Sequence, residues 1–218
     1  VSSLNHAHTN MVIQQVRPSE VLNDTVLAVM SDVARADFVD EDSVGMAYAD
    51  TMLTIAYEQC MLTPILEGRF LQALDLTPET NVLEIGTGSG YFTALLAKLS
   101  NHVISVEYYA DLSELAAKRL AKADIRNVTL TVGDASQGWP LVERVDTIVI
   151  TAACAQIPDD YLQSLKVGGK LLIVTGTAPA MSVQLITRMN EREWQPKFLF
   201  ETVIPYMING EPIQQFEF

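Results

Sequence analysis

The sequence has little cysteine, little histidine and little positive charge, and each shortage closes a class of function. Cys60 and Cys154 are the two cysteines among 218 residues, so a disulfide framework is not expected and a reducing, cytoplasmic setting is. His6, His8 and His102 show no ligand spacing with cysteine or carboxylates, and no metal site is predicted. Lys and Arg number 14 against 27 Asp and Glu, a formal charge of −13. That field repels polyanions, so no nucleic acid and no membrane surface is expected as a partner. No apolar run approaches the ~20 residues of a membrane span. Val1–Asn10 is polar and lacks the basic start and apolar stretch of a secretory signal. There is also no internal repeat and no low-complexity tract.

What is present fits a packed α/β chain. Hydrophobic residues make up 49% and charged residues 19%, enough apolar material for one core with a modest extension. Residues 1–78 read as a helical arm and loop, and residues 79–218 as the main domain. In the arm, helices are predicted over Val21–Met30 and over Ile65–Leu74, the latter just after Pro64. Between them Ala47–Thr63 has no clean period, and long irregular stretches in compact domains are often functional. From residue 79 short apolar runs alternate with helical segments. Strands are expected at Asn81–Ile85, His102–Glu107, Val128–Val132, Val145–Ile150 and Gly169–Val174, and helices at Tyr91–Leu99, Leu112–Ala123 and Ile157–Leu165. Val183–Met189 and Lys197–Val203 read as two late strands on an antiparallel edge. Doubly apolar strands joined by helices imply a Rossmann-like, doubly wound, mostly parallel seven-stranded sheet, covered on both faces.

The sharpest chemical signal is Glu84-Ile-Gly86-Thr87-Gly88-Ser89-Gly90, set between a strand and a helix. Glycines in such a turn let a ligand approach bare backbone. The spacing matches neither the dinucleotide fingerprint nor the phosphate loop, and no lysine follows to hold a phosphate. Glu107 ends the second strand about 20 residues on, where a carboxylate can accept both hydroxyls of an adenosine ribose. Asp134, after Gly133 at the end of the third strand, is placed to contact adenine. Three successive strand ends thus carry polar residues on the carboxyl edge, where open α/β sheets bind ligands.

Val82-Leu-Glu-Ile-Gly-Thr-Gly-Ser-Gly-Tyr91 resembles the first motif of class I S-adenosylmethionine-dependent methyltransferases. The chain as a whole resembles the protein-L-isoaspartate O-methyltransferase family, through Arg35-Ala-Asp-Phe-Val39, Leu76-Thr-Pro-Glu-Thr80, Ser105-Val-Glu107, Gly133-Asp134, Gly138-Trp139, Val149-Ile-Thr-Ala-Ala153, Ile157-Pro158 and Gly168-Gly169. The resemblance implies S-adenosyl-L-methionine as cofactor. Glu84, Gly86, Thr87, Gly88, Ser89 and Gly90 are then expected along its methionine part, Glu107 at the ribose, and Asp134 with Ala135 at the adenine. It implies a protein or peptide acceptor, with a small molecule left open, methylated on the carboxylate of an isoaspartyl residue. Trp139 either covers the cofactor or anchors a loop.

The acceptor side departs from the family pattern, which reads roughly Ile-Gly-x-Gly-Gln-Thr-Ile-Ser-x-Pro. Against it stand Ile55-Ala-Tyr-Glu-Gln-Cys-Met-Leu-Thr-Pro64, with Ala56 and Glu58 at the glycines, Cys60 at the threonine and Leu62 at the serine. Cys60 reads as buried or structural, and Cys154 as a small packed thiol. The altered loop leaves two other readings open: the same fold with a changed acceptor, and a cofactor-binding homologue with little isoaspartyl activity. No catalytic residue and no oligomeric state can be assigned from sequence.

Overall fold

Alternation of strand and helix from Asn81 onward builds the sheet, in a computed structural model that describes residues 2–212. The arm precedes it. α1 (Ser2–Asn10) runs on through looser turns to Ser19, and α2 (Asp24–Asp32) follows. The Asn23 side chain accepts from the Thr25 and Val26 N–H groups at 2.9 and 3.1 Å, which satisfies donors that a helix start leaves free. This cap sets the start at Asp24, later than the Val21 expected from apolar spacing. The irregular stretch before Thr63 holds a small hairpin, β1 (Leu53–Thr54) and β2 (Cys60–Met61). α3 (Pro64–Leu74) opens on Pro64, with Thr63 Oγ1 accepting from the Leu66 N–H at 3.3 Å.

The main sheet contains β3 (Asn81–Ile85), β4 (His102–Glu107), β5 (Val128–Val132), β6 (Val145–Cys154), β7 (Leu165–Thr177), β8 (Ala180–Asn190) and β9 (Glu193–Glu201) in the order β5-β4-β3-β6-β7-β8-β9. β5 to β7 are parallel, and β8 and β9 add an antiparallel edge. α4 (Tyr91–Leu99), α5 (Ala110–Lys122) and the short α6 (Asp159–Gln163) are the connecting helices. The expected helix over Ile157–Leu165 is cut to five residues because Leu165 already belongs to β7. β6 runs four residues past the expected Ile150, and β9 lies at Glu193–Glu201 where Lys197–Val203 was expected. Hydrogen bonds with neighbouring strands, which hydropathy does not report, set those ends.

Side-chain alternation divides the core. On β3, Val82 packs with α3, α4 and the arm, and Leu83 and Ile85 pack on the opposite face with Ile148, Tyr161 and Leu165. Met11, Val16, Met30 and Phe38 of the arm are fully buried in the same cluster as Phe70 and Leu95, and each such side chain contributes about 1.5–3 kcal/mol on burial. The sheet order reverses at β3, where the chain leaves toward β4 on one side and returns as β6 on the other. Crevices at such a point, beyond the carboxyl ends of the strands, are where this architecture binds ligands. Among the described residues no helix is long and apolar enough to cross a membrane, and no group of three or more His, Cys, Asp or Glu could hold a metal ion.

Candidate active site

A cleft lies on that edge. Its floor is the turn after β3. Gly86 has φ +99, and a Cβ there would fall 2.3 Å from Thr151 Oγ1, so only glycine fits. Thr151, from β6, donates its hydroxyl proton toward the Ile85 and Gly86 carbonyls at 3.0 and 2.9 Å, which fixes the turn across the strand crossover. Glu107 is 6% exposed. One of its carboxylate oxygens accepts from the Gly88 N–H at 2.8 Å and the other from the Tyr109 N–H at 3.1 Å. Each oxygen keeps a lone pair for a further donor, so the carboxylate is held rigidly and faces the cleft half-used.

Asp134 and Ala135 close the far end of the cleft. The Asp134 carboxyl is held below its usual range, first by the Ser136 N–H at 2.9 Å, with the Asn209 amide at 2.8 Å assisting. Gly86, Gly88, Glu107, Asp134 and Ala135 therefore share one cleft. Thr87 and Ser89, with the same two glycines, line a smaller adjoining recess whose other walls include Leu62, Glu67, Phe92 and Thr151. Leu62 is buried there, and its carbonyl accepts from Arg35 at 2.6 Å.

Two expected residues take other places. Glu84 lines neither recess: strand alternation turns it under the turn, where one oxygen accepts from Thr93 of α4 and Ser105 of β4, each at 2.6 Å. Burial pushes its carboxyl up to about 8. Gly90 starts α4 at φ +86, and a Cβ there would lie 3.1 Å from that of Ala116, so its role is the close approach of α4 and α5. The Trp139 ring packs where a Gly133 side chain would project. Cys60, expected to be structural, lines both recesses; burial raises its thiol, which leaves little thiolate at neutral pH. Cys154 is buried, with its thiol pushed up to about 12.

Ile55 and Gln59, from the loop set against the acceptor pattern, also wall the cleft, and no role was read in sequence for its further walls Tyr108, Ala152, Met207 and Ile208. The two loop residues had a signal, their match to the family pattern. Met207 had none. It arrives through a parallel bridge in which Ala153 N–H donates to the Pro205 carbonyl and Met207 N–H to the Ala153 carbonyl, both at 2.8 Å.

Comparison with known proteins identifies the family. The chain is 39% identical over 179 residues to a protein-L-isoaspartate O-methyltransferase of Protochlamydia amoebophila, covering 82% of this chain and 84% of that one. It is 40% identical to the protein of the same name from Photorhabdus laumondii, covering 79% and 83%. The fold matches that of a Plasmodium falciparum protein-L-isoaspartate O-methyltransferase solved with S-adenosyl-L-homocysteine, at a TM-score of 0.80, 21% identity, and 91% and 97% coverage. The profile described as protein-L-isoaspartate(D-aspartate) O-methyltransferase matches residues 7–205, a range that takes in the altered loop and the whole sheet, and the chain belongs to that family.

Proposed function

We propose that this chain is an S-adenosyl-L-methionine-dependent methyltransferase that esterifies the carboxylate of isoaspartyl residues in damaged proteins. The observation that carries the reading is the pairing, in one cleft, of a bare glycine floor with the pinned but half-used carboxylate of Glu107. The residues fit the cofactor. Gly86 and Gly88 leave space that side chains would fill, Glu107 can accept the two ribose hydroxyls, and Asp134 with Ala135 offers an acceptor and an apolar wall for the base. When bound, the cofactor supplies a methyl group on a positively charged sulfur.

The chain's own contribution is alignment. An isoaspartyl carboxyl, with an unperturbed pKa of about 4, is already ionised at neutral pH. No general base is needed, and rate comes from holding nucleophile and methyl donor in line. The recess beside the glycine turn suits the acceptor. Ser89 Oγ accepts from the Tyr91 N–H at 3.2 Å, which leaves its own proton free to donate to a carboxylate. Leu62 supplies an apolar wall where the family pattern has a serine, so Ser89 becomes the orienting hydroxyl of this recess. The test is methyl transfer from labelled cofactor to an isoaspartyl peptide beside its normal aspartyl twin, with a calorimetric titration of S-adenosylhomocysteine. Ester on the isoaspartyl peptide alone is expected. No ester above the aspartyl control removes the reading.

A further inference from the structure

Both recesses share a roof, and something exposed holds it down. β1 and β2 pair at only two positions, Leu53 with Met61 and Thr54 with Cys60. The turn between them lies over the glycine floor: Ile55 Cδ1 sits 3.5 Å from where a Gly88 side chain would begin, and Gln59 and Cys60 complete the cover. So short a ladder has little strength of its own. Its turn also carries two successive non-glycine residues in the left-handed region, Tyr57 at φ 60 and Glu58 at φ 57, a conformation that residues with a Cβ seldom adopt. Internal bonds, Ile55 N–H to the Gln59 carbonyl at 2.8 Å and the Gln59 amide to the Tyr57 carbonyl at 3.1 Å, shape the turn without tying it to the sheet.

The tie is Tyr57. Although 45% exposed, its ring stacks on Tyr109 with centroids 3.9 Å apart and planes 8° from parallel. Its hydroxyl donates to Asp111 in the first turn of α5. Tyr109 in turn gives its N–H to Glu107, the carboxylate that also holds Gly88, and Tyr108 packs edge-on against Tyr109 while lining the cleft. One side chain therefore links roof, ribose hook and floor. We infer that Tyr57 is a positioning residue that clasps the β1–β2 hairpin over the cleft, so that the nucleoside ligand exchanges only when Tyr57 lets go of Tyr109 and Asp111. Release lets two strained residues relax, which makes opening local and reversible. The inference rests on the cofactor reading above.

The experiment compares S-adenosylhomocysteine dissociation by stopped flow, and amide exchange at Ile55 and Gln59 in the ligand-free protein, for the full chain and for Tyr57→Phe and Tyr57→Ala. Phenylalanine keeps the stack and loses the donated proton, so the off-rate should rise about 3- to 10-fold. Alanine loses both contacts, and the rise should be on the order of 30-fold. Exchange at both amides should quicken in the same order. KM for the cofactor should rise in the same order. If the wild-type chain binds and Tyr57→Ala leaves both off-rate and amide exchange unchanged, or lowers only thermal stability, the clasp is wrong and the cofactor reading stands. If the wild-type chain does not bind S-adenosylhomocysteine, both are wrong.

Discussion

Glu107 and Leu62 show how far single residues decide this site. Glu107 spends two acceptor sites on Gly88 and Tyr109 and has two left for a ligand. Hydrogen bonds to a charged group contribute about 1.5–3 kcal/mol each, and Glu107→Ala should therefore weaken S-adenosylhomocysteine binding roughly 100-fold or more in a calorimetric titration. Leu62 has the opposite character, being buried, apolar and set in the wall of the smaller recess. Leu62→Ser should cost stability, about 2–4 kcal/mol by urea denaturation, yet raise isoaspartyl turnover up to about 10-fold by adding an orienting hydroxyl. Lower turnover in a folded variant would show that position 62 does not face the acceptor. The departure of Leu62 from the family pattern was legible in sequence. Its burial against the arm was not, because that depends on Arg35 reaching across from a distant segment to the Leu62 carbonyl.

Between elements, two buried acids do the joining. Arg35, in the turn that follows α2, pairs with Glu67 of α3, both nearly or fully buried. Burial raises the Glu67 carboxyl against the pull of Arg35. Glu67→Leu leaves the arginine charge unpaired and should destabilise by about 3–5 kcal/mol, and a double replacement with Arg35→Met should recover much of that. Glu84 ties β3 to α4 and β4. Its carboxyl rises from 4.5 to about 8 in the fold, mainly through burial, so between those values the folded chain keeps a proton that the unfolded chain has released. This contribution is whole below about pH 4.5 and is lost as pH climbs through about 8. Unfolding free energies measured at about pH 5 and 8.5 should fall more steeply for the wild-type chain than for Glu84→Gln. The acid before Gly86 looked like a ligand contact in sequence, since its identity and position fit one. The direction in which β3 presents it is a matter of which face the helices cover.

At the scale of the molecule, 27 acidic groups against 14 basic ones act as one field. Self-repulsion of that charge opposes the compact state. Raising salt from about 20 to about 200 mM shortens its reach to under ~10 Å and should lift Tm by about 2–4 °C, the response of a chain this size to ~1 kcal/mol. Sequence alone determined the parallel sheet, the glycine turn and the acidic strand ends, because hydropathy period and turn chemistry are local properties that neighbours in the chain dictate. Strand ends at β6, β7 and β9, the inward turn of Glu84 and the packing role of Gly90 came from contacts between segments far apart in the chain. So did the roof over the cleft, where Met207 crosses to Ala153 and Tyr57 reaches Tyr109 and Asp111. Only the tertiary structure could decide these, since each depends on which distant surface is close enough to exclude water or complete a hydrogen bond.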